Sequence, residues 1–252
     1  MTDLTSALRP VVILEFLAGR PGGVTLRELR DELQIPRSSV WLLVRQLEDG
    51  GLITKSGPNT FVAGPRLLRM GLSLYQTASM GGDARMVLQD LSTATRLDVY
   101  LAIRTGDSVV YADRVFGADS VQVRRQLGAP RSLHASAGGK LFLAYETDGL
   151  WDRCIAGREL ERFTPQTVTD HAALRAQLDQ IKRQGYVSSD SQVLLGISSL
   201  GCMAFNPDGS PWAGVIISAH ESALNPKRDE ILEHLVKSTT ELTRARSELA
   251  AS

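Results

Sequence analysis

Between Thr25 and Leu47 two helical patterns are separated only by Gln34-Ile35-Pro36, and no other feature limits the possible folds as tightly. Thr25, with Glu28 three residues on, forms a capping box, and Val24 and Leu29 are spaced as a hydrophobic staple. Leu26, Leu29 and Leu33 give this helix its apolar stripe. The next helix opens on Pro36-Arg37-Ser38-Ser39; Val40, Leu43, Val44 and Leu47 follow at i, i+3, i+4 and i+7, and Gly50-Gly51 ends it. An earlier helix carries Val11, Leu14, Leu17 and Ala18, with Pro10 in its first turn or just before it, and breaks at 19–23. Residues 52–55 and 60–62 are strand-like and flank the turn Ser56-Gly57-Pro58-Asn59. Three helices and a hairpin predict a winged helix-turn-helix.

The N-terminal residues of a recognition helix point into the major groove, while its stripe packs on the domain. Arg37, Ser38, Ser39, Trp41, Leu42 and Arg45 fall off the stripe and are candidate DNA contacts. Lys55 in the wing can reach the phosphate backbone. From Pro36 to Arg69, five basic residues stand against two acidic ones, a modest basic footprint. The whole chain of 252 residues has a formal net charge of zero, which excludes a bulk polycation but permits such a local face.

The rest of the chain mixes hairpins with helices, so an α+β domain with an antiparallel sheet is expected. Pro65 opens a helix carrying Leu67, Leu68, Met70, Leu72 and Leu74, more apolar than a solvated linker should be, and Gly81-Gly82 marks its end. Helices are predicted over 83–95, 136–145 and 170–185, and from Asn225-Pro226 onward. Strands are predicted over 97–104, 108–114, 121–125, 197–205 and 212–218. Two isolated cysteines, Cys154 and Cys202, fit neither a disulfide framework nor a zinc knuckle. No stretch approaches the ~18–20 apolar residues of a membrane span. Residues 1–10 lack the order of a signal peptide, so a cytoplasmic protein is expected.

Several segments in order resemble the IclR family of bacterial transcriptional regulators, over nearly the whole chain. They are Pro36-Arg37-Ser38-Ser39-Val40, the run Leu133-His134-Ala135-Ser136-Ala137-Gly138-Gly139-Lys140, residues 162–170, and Gly185-Tyr186. The resemblance implies a winged helix-turn-helix domain (1–64), a linker helix that dimerises (65–81) and an effector domain resembling the GAF fold (82–252). The implied partners are double-stranded DNA with a palindromic operator, a small organic acid and further copies of the chain, as homodimer or tetramer. Leu67, Met70 and Leu74 would form the dimer seam. No cofactor, metal or catalytic role is implied.

Carried over by position, the effector would meet the helix start at Ala137 and Gly138, whose free N–H groups suit a carboxylate. Ser189 stands where the family often has an acidic residue, with Asp190 next to it. Ser199 stands where a cysteine is common; of two serines usual in the next strand, Ile216 replaces one and Ser218 remains. These changes leave less charge and more apolar wall, which favours an acid with an apolar or aromatic body. Trp41 and Leu42 likewise replace residues that are more polar in the family.

An enzyme would need other chemistry. His134, Ser136 and Asp190 could be arranged as a triad, but the chain has no Gly-x-Ser-x-Gly elbow. His171, His220 and His234 lack metal-ligand spacing. Arg124-Arg125 reads as a solvated strand end or an anchor for an anion. The alternative reading is a small-molecule enzyme or sensor whose helix-turn-helix serves protein contact.

Overall fold

The computed structural model describes residues 7–79, 82–119 and 127–250, and the chain divides into two units, Met1–Ala78 and Ser79–Ser252. In the first, α1 (Arg9–Ala18) has Pro10 in its first turn, where a missing N–H costs nothing. There follow β1 (Val24–Thr25), α2 (Leu26–Leu33), α3 (Arg37–Asp49), β2 (Ile53–Gly57), β3 (Thr60–Ala63) and α4 (Pro65–Ser79). The capping box closes as its spacing requires. The Glu28 amide donates to Thr25 Oγ1 at 3.2 Å, and the Thr25 amide donates to Glu28 Oε2 at 2.7 Å. Those bonds from the Thr25 backbone and hydroxyl hold the Glu28 carboxyl below its ordinary range. Gln34 then takes a left-handed conformation, φ 52°, and ends α2.

Ile13, Leu17, Val24, Leu29, Ile35, Val40, Val44, Leu47, Ile53 and Phe61 form the buried core of this unit. The sheet has three strands in the order β1-β3-β2, one more than the hairpin expected. An N-cap has extended backbone, so Val24 and Thr25 can pair with Phe61 and Thr60 while Thr25 caps α2. The wing strands run on to a tighter turn at Pro58-Asn59, with a bulge between Lys55 and Gly57.

The first turn of α4 is tied to the end of α3. The Gly64 amide donates to Leu52 O at 2.8 Å and the Arg66 amide to Gly51 O at 3.1 Å. The Arg66 guanidinium donates to Gly50 O at 3.2 Å. Only glycine permits this approach at 64, because an added Cβ would lie 2.5 Å from Gly51 O.

In the second unit α5 (Gly82–Thr95) precedes β4 (Asp98–Thr105), β5 (Ser108–Val115) and β6 (Pro130–Arg131). Next come α6 (Ala137–Ala144), α7 (Leu150–Cys154), α8 (His171–Gln184), β7 (Tyr186–Asp190), β8 (Ile197–Phe205) and β9 (Pro211–His220). The chain closes with α9 (Glu221–Leu224), a 3-10 turn at Asn225–Lys227 and α10 (Arg228–Ala250). The antiparallel sheet has the order β6-β5-β4-β9-β8-β7. One face carries Val99, Leu101, Leu200, Cys202, Val215 and Ile217, in one cluster with Leu88 and Leu91 of α5 and Ile231, Leu235 and Leu242 of α10. The other carries Tyr100, Ala102, Val109, Tyr111, Val187, Met203 and Ile216, in a cluster with α6 and α8. With both faces covered, β8 and β9 are buried almost continuously rather than alternately.

The strand expected over 121–125, Arg124-Arg125 and Gly81 lie outside the described residues. β6, β7, α7 and α9 were not expected; each is short, and Ser188-Ser189-Asp190 is poor strand material by propensity. Asn225-Pro226 forms the 3-10 turn, and the long last helix starts at Arg228. Among the described residues no helix is long and apolar enough to cross a membrane.

Candidate functional site

The face of α3 opposite Val40, Val44 and Leu47 presents Arg37, Ser38, Trp41, Leu42 and Arg45 to solvent, with Ser39 half-buried. Trp41 and Leu42 keep 53% and 50% of their surface exposed. The Arg45 guanidinium carbon sits 5.3 Å from the centre of the Trp41 ring, a cation–π contact. Beside this face lies an open groove of about 1240 Å³, lined by Arg27 and Arg30 of α2, Arg37, Ser38 and Trp41 of α3, and Asn59 of the wing turn. Arg27 and Arg30 belong to no motif singled out in the sequence; their only signal is that both fall off the Leu26-Leu29-Leu33 stripe. Both reach Asp31, at 3.6 Å and 2.6 Å, which leaves exposed guanidinium edges on the groove. Lys55 is exposed but shares its ammonium with Glu48 of α3 at 3.7 Å. On α4, Leu67 is half-buried while Met70 and Leu74 expose 49% and 68%, and Leu68 and Leu72 are exposed beside them.

In the second unit, strand pairing brings the expected serines into one line. Ser189 of β7 is register-paired with Ser199 of β8, Ser199 with Ser218 of β9, and Ser218 with Asp98 of β4. All four are buried. The hydroxyls of Ser199 and Ser218 are 2.9 Å apart, and Ser189 Oγ donates to Ala135 O at 3.4 Å, just ahead of α6. At the end of the row Asp98 pairs with the Arg114 guanidinium and accepts from the Gly117 amide at 3.0 Å and the Tyr100 hydroxyl at 3.4 Å. Ile216 lies in the next row, paired with Gly201 and Tyr100. Asp98, Arg114 and Tyr100 were missed in the sequence. The one local signal was a carboxylate inside the apolar run Leu97-Asp98-Val99.

Asp190 is not brought to this row. Neighbouring strand residues point to opposite faces, and Asp190 forms an ion pair with Arg228 of α10 at 2.8 Å. Ala137 and Gly138 lie buried in the first turn of α6, capped by Ser136, whose Oγ accepts from the Gly139 amide at 3.0 Å. A Cβ on Gly138 would meet Ala102 Cβ at 3.0 Å, so this small residue lets α6 press on β4 and β5. His134, Ser136 and Asp190 form no triad. His134 is held by Ser132 Oγ at 3.0 Å and Glu161 O at 2.8 Å, while Ser136 donates to Ser132 O at 2.6 Å. Burial pushes the His134 imidazole below its ordinary pKa.

Lys140, in the middle of α6, is 1% exposed. Its ammonium donates to Gln177 Oε1 of α8 at 2.7 Å and to Gln192 Oε1, both neutral amides. Burial pushes it down to about 7. A surface cavity of about 750 Å³ lies beside the cap of α6, lined among others by Leu133, His134, Ser136, Ile155, Phe163 and Leu194. None of Ala137, Gly138, Ser189, Asp190, Ser199 and Ser218 lines it.

These two units match known proteins as units. Residues 6–57 match the IclR helix-turn-helix domain, and residues 75–244 match the bacterial transcriptional regulator IclR C-terminal domain. The transcriptional repressor IclR of Escherichia coli is 24% identical over 247 residues, covering 96% of this chain and 90% of its own. The crystal structure of the Thermotoga maritima IclR superposes with a TM-score of 0.76 at 26% identity, over 96% of this chain and 98% of that one. An IclR homologue from Microbacterium hydrocarbonoxydans, crystallised with 4-hydroxybenzoate, shares the fold with a TM-score of 0.82 at 19% identity, over 98% of this chain and 100% of that one. The effector-domain match alone spans more than half of the chain, and the protein belongs to the IclR family of bacterial transcriptional regulators.

Proposed function

We propose that this regulator binds a palindromic operator as a dimer or higher oligomer and controls a catabolic operon in the cytoplasm, its affinity set by a small organic acid with an apolar or aromatic body. The observation that carries the effector reading is the buried row Ser189, Ser199, Ser218 and Asp98 beneath the start of α6, closed at one end by Arg114. Three hydroxyls can bind an oxygenated ligand without adding negative charge. Arg114 supplies a cation that an incoming carboxylate would share with Asp98, while Ile216 and Tyr100 supply the apolar wall. A solved relative of the same fold holds 4-hydroxybenzoate, an acid of this description. Ala137 and Gly138 contribute backbone N–H groups at the helix end.

On the DNA side, Arg37, Ser38, Ser39, Trp41, Leu42 and Arg45 enter the major groove, with Lys55 and the groove arginines on the phosphates. One such head covers too little duplex for high specificity, so two copies joined through Leu67, Met70 and Leu74 read half-sites one or more helical turns apart. Mobility shift with the full chain and its upstream intergenic DNA, with and without aromatic and short aliphatic acids, tests both halves. Retardation that an aromatic acid changes is expected. No retardation under any condition would overturn the DNA reading. Tight calorimetric binding of a two-carbon acid, with no heat from any aromatic acid, would overturn the effector reading.

A further inference from the structure

We infer that α3 reads a thymine through its 5-methyl group with Trp41 and a guanine within two base pairs of it with Arg45, an inference that rests on the DNA-binding reading above. Half of the surface of Trp41 and of Leu42 stands in water on the same helix face as Arg45 and Ser38. A face built only to grip phosphates has no use for two large apolar side chains, since arginine, lysine and serine make those contacts. The apolar feature on base edges in the major groove is the thymine methyl, which apolar side chains recognise by contact. The indole at 41 therefore has one complementary partner on the groove floor.

Arg45 lies one helical turn further along α3. Its guanidinium is held 5.3 Å from the Trp41 ring centre, so the stack limits the directions its fork can take. That fork matches the O6 and N7 acceptors of guanine. Four residues of helix advance about 6 Å, less than two base-pair steps of about 3.4 Å each, so the two contacts fall on neighbouring or next-but-one pairs. Arg27 and Arg30 of α2 border the adjoining groove and are left for phosphates.

The test starts from half-sites enriched out of random duplex DNA by the full-length chain. Each enriched thymine is then replaced by uracil, which removes the methyl and keeps the pairing; each guanine is replaced by 7-deazaguanine, which removes N7. One thymine should be found whose methyl is worth about fourfold in affinity to the wild type, the value of burying a single methyl group. That loss should vanish in Trp41→Ala and persist in Trp41→Leu, which keeps an apolar side chain. A guanine within two pairs should lose about tenfold on 7-deaza substitution with the wild type and nothing with Arg45→Ala. Indifference to every thymine methyl, or equal sensitivity in Trp41→Ala, overturns the inference while DNA binding stands. Failure to enrich any sequence removes the DNA reading and this inference with it.

Discussion

The hydroxyl of Ser199 lies 2.9 Å from that of Ser218, at register-paired positions of β8 and β9. One hydroxyl donates to the other, and Ser218 Oγ also lies 3.5 Å from Ser198 O as a donor, so the pair is buried at little cost yet keeps acceptor capacity for an incoming hydroxyl or protonated oxygen. Ser199→Ala and Ser218→Ala should each weaken binding of an aromatic acid about three- to tenfold by calorimetry. DNA affinity without the acid should stay as in the wild type. Unchanged affinity in both variants would remove the serine row from the effector site.

The α4 stripe makes a separate prediction. Met70 and Leu74 expose 49% and 68% of their surface, so a charge there costs the isolated chain little. Met70→Glu with Leu74→Glu should sediment as a monomer and melt as a folded protein. An oligomer that survives the double substitution would place the seam elsewhere.

Adjacent glycines at the start of α6 should respond unequally to alanine. A Cβ on Gly138 would meet Ala102 Cβ at 3.0 Å, a methyl that can give way slightly. One on Gly139 would lie 2.4 Å from Ser132 O and 2.5 Å from Leu133 Cα, which are backbone. Gly139→Ala should therefore destabilise by about 1–3 kcal/mol, as overpacking does, and Gly138→Ala by clearly less. Denaturant melts with equal losses for the two would contradict this packing.

Lys140 predicts a dependence of stability on pH. Burial lowers its ammonium to about 7 in the folded chain, against about 10.4 in an unfolded one. Between those values the unfolded state holds the extra proton, so the contribution of this group to stability rises with pH from about 7 to 10. Below about 7 both states are charged and the full burial cost is present. Wild type should gain on Lys140→Met as pH is raised through this window in parallel thermal melts. A constant difference across it would mean the lysine stays charged in the fold.

Local features were the legible ones. The Thr25–Glu28 capping box formed where its spacing put it, and the helix expected over 170–185 is α8, capped by Asp170 and ended by Gly185, because such signals are decided within one turn of helix. Ser189, Ser199 and Ser218 could be named one at a time from a resemblance, yet their alignment depends on the register of three successive strands, which the residues alone do not fix. Asp98 and Arg114 needed a fourth and fifth strand and escaped notice. Asp190 parts from Ser189 on strand parity, but only once 186–190 is known to be a strand, which the sequence did not show. The groove arginines at 27 and 30 emerge only when α2, α3 and the wing turn are placed together.

The bonds from Gly64 and Arg66 to the carbonyls at 50–52 make the start of α4 and the end of α3 a single lever. Turning the start of α4 about its own axis pulls on those carbonyls and so on the end of α3 that carries the reading face. In the dimer proposed above, the distance between two such heads on DNA is then decided where their α4 helices meet. A ligand that repacks that meeting by a fraction of a turn would change which spacing of half-sites fits, without touching a residue that contacts a base.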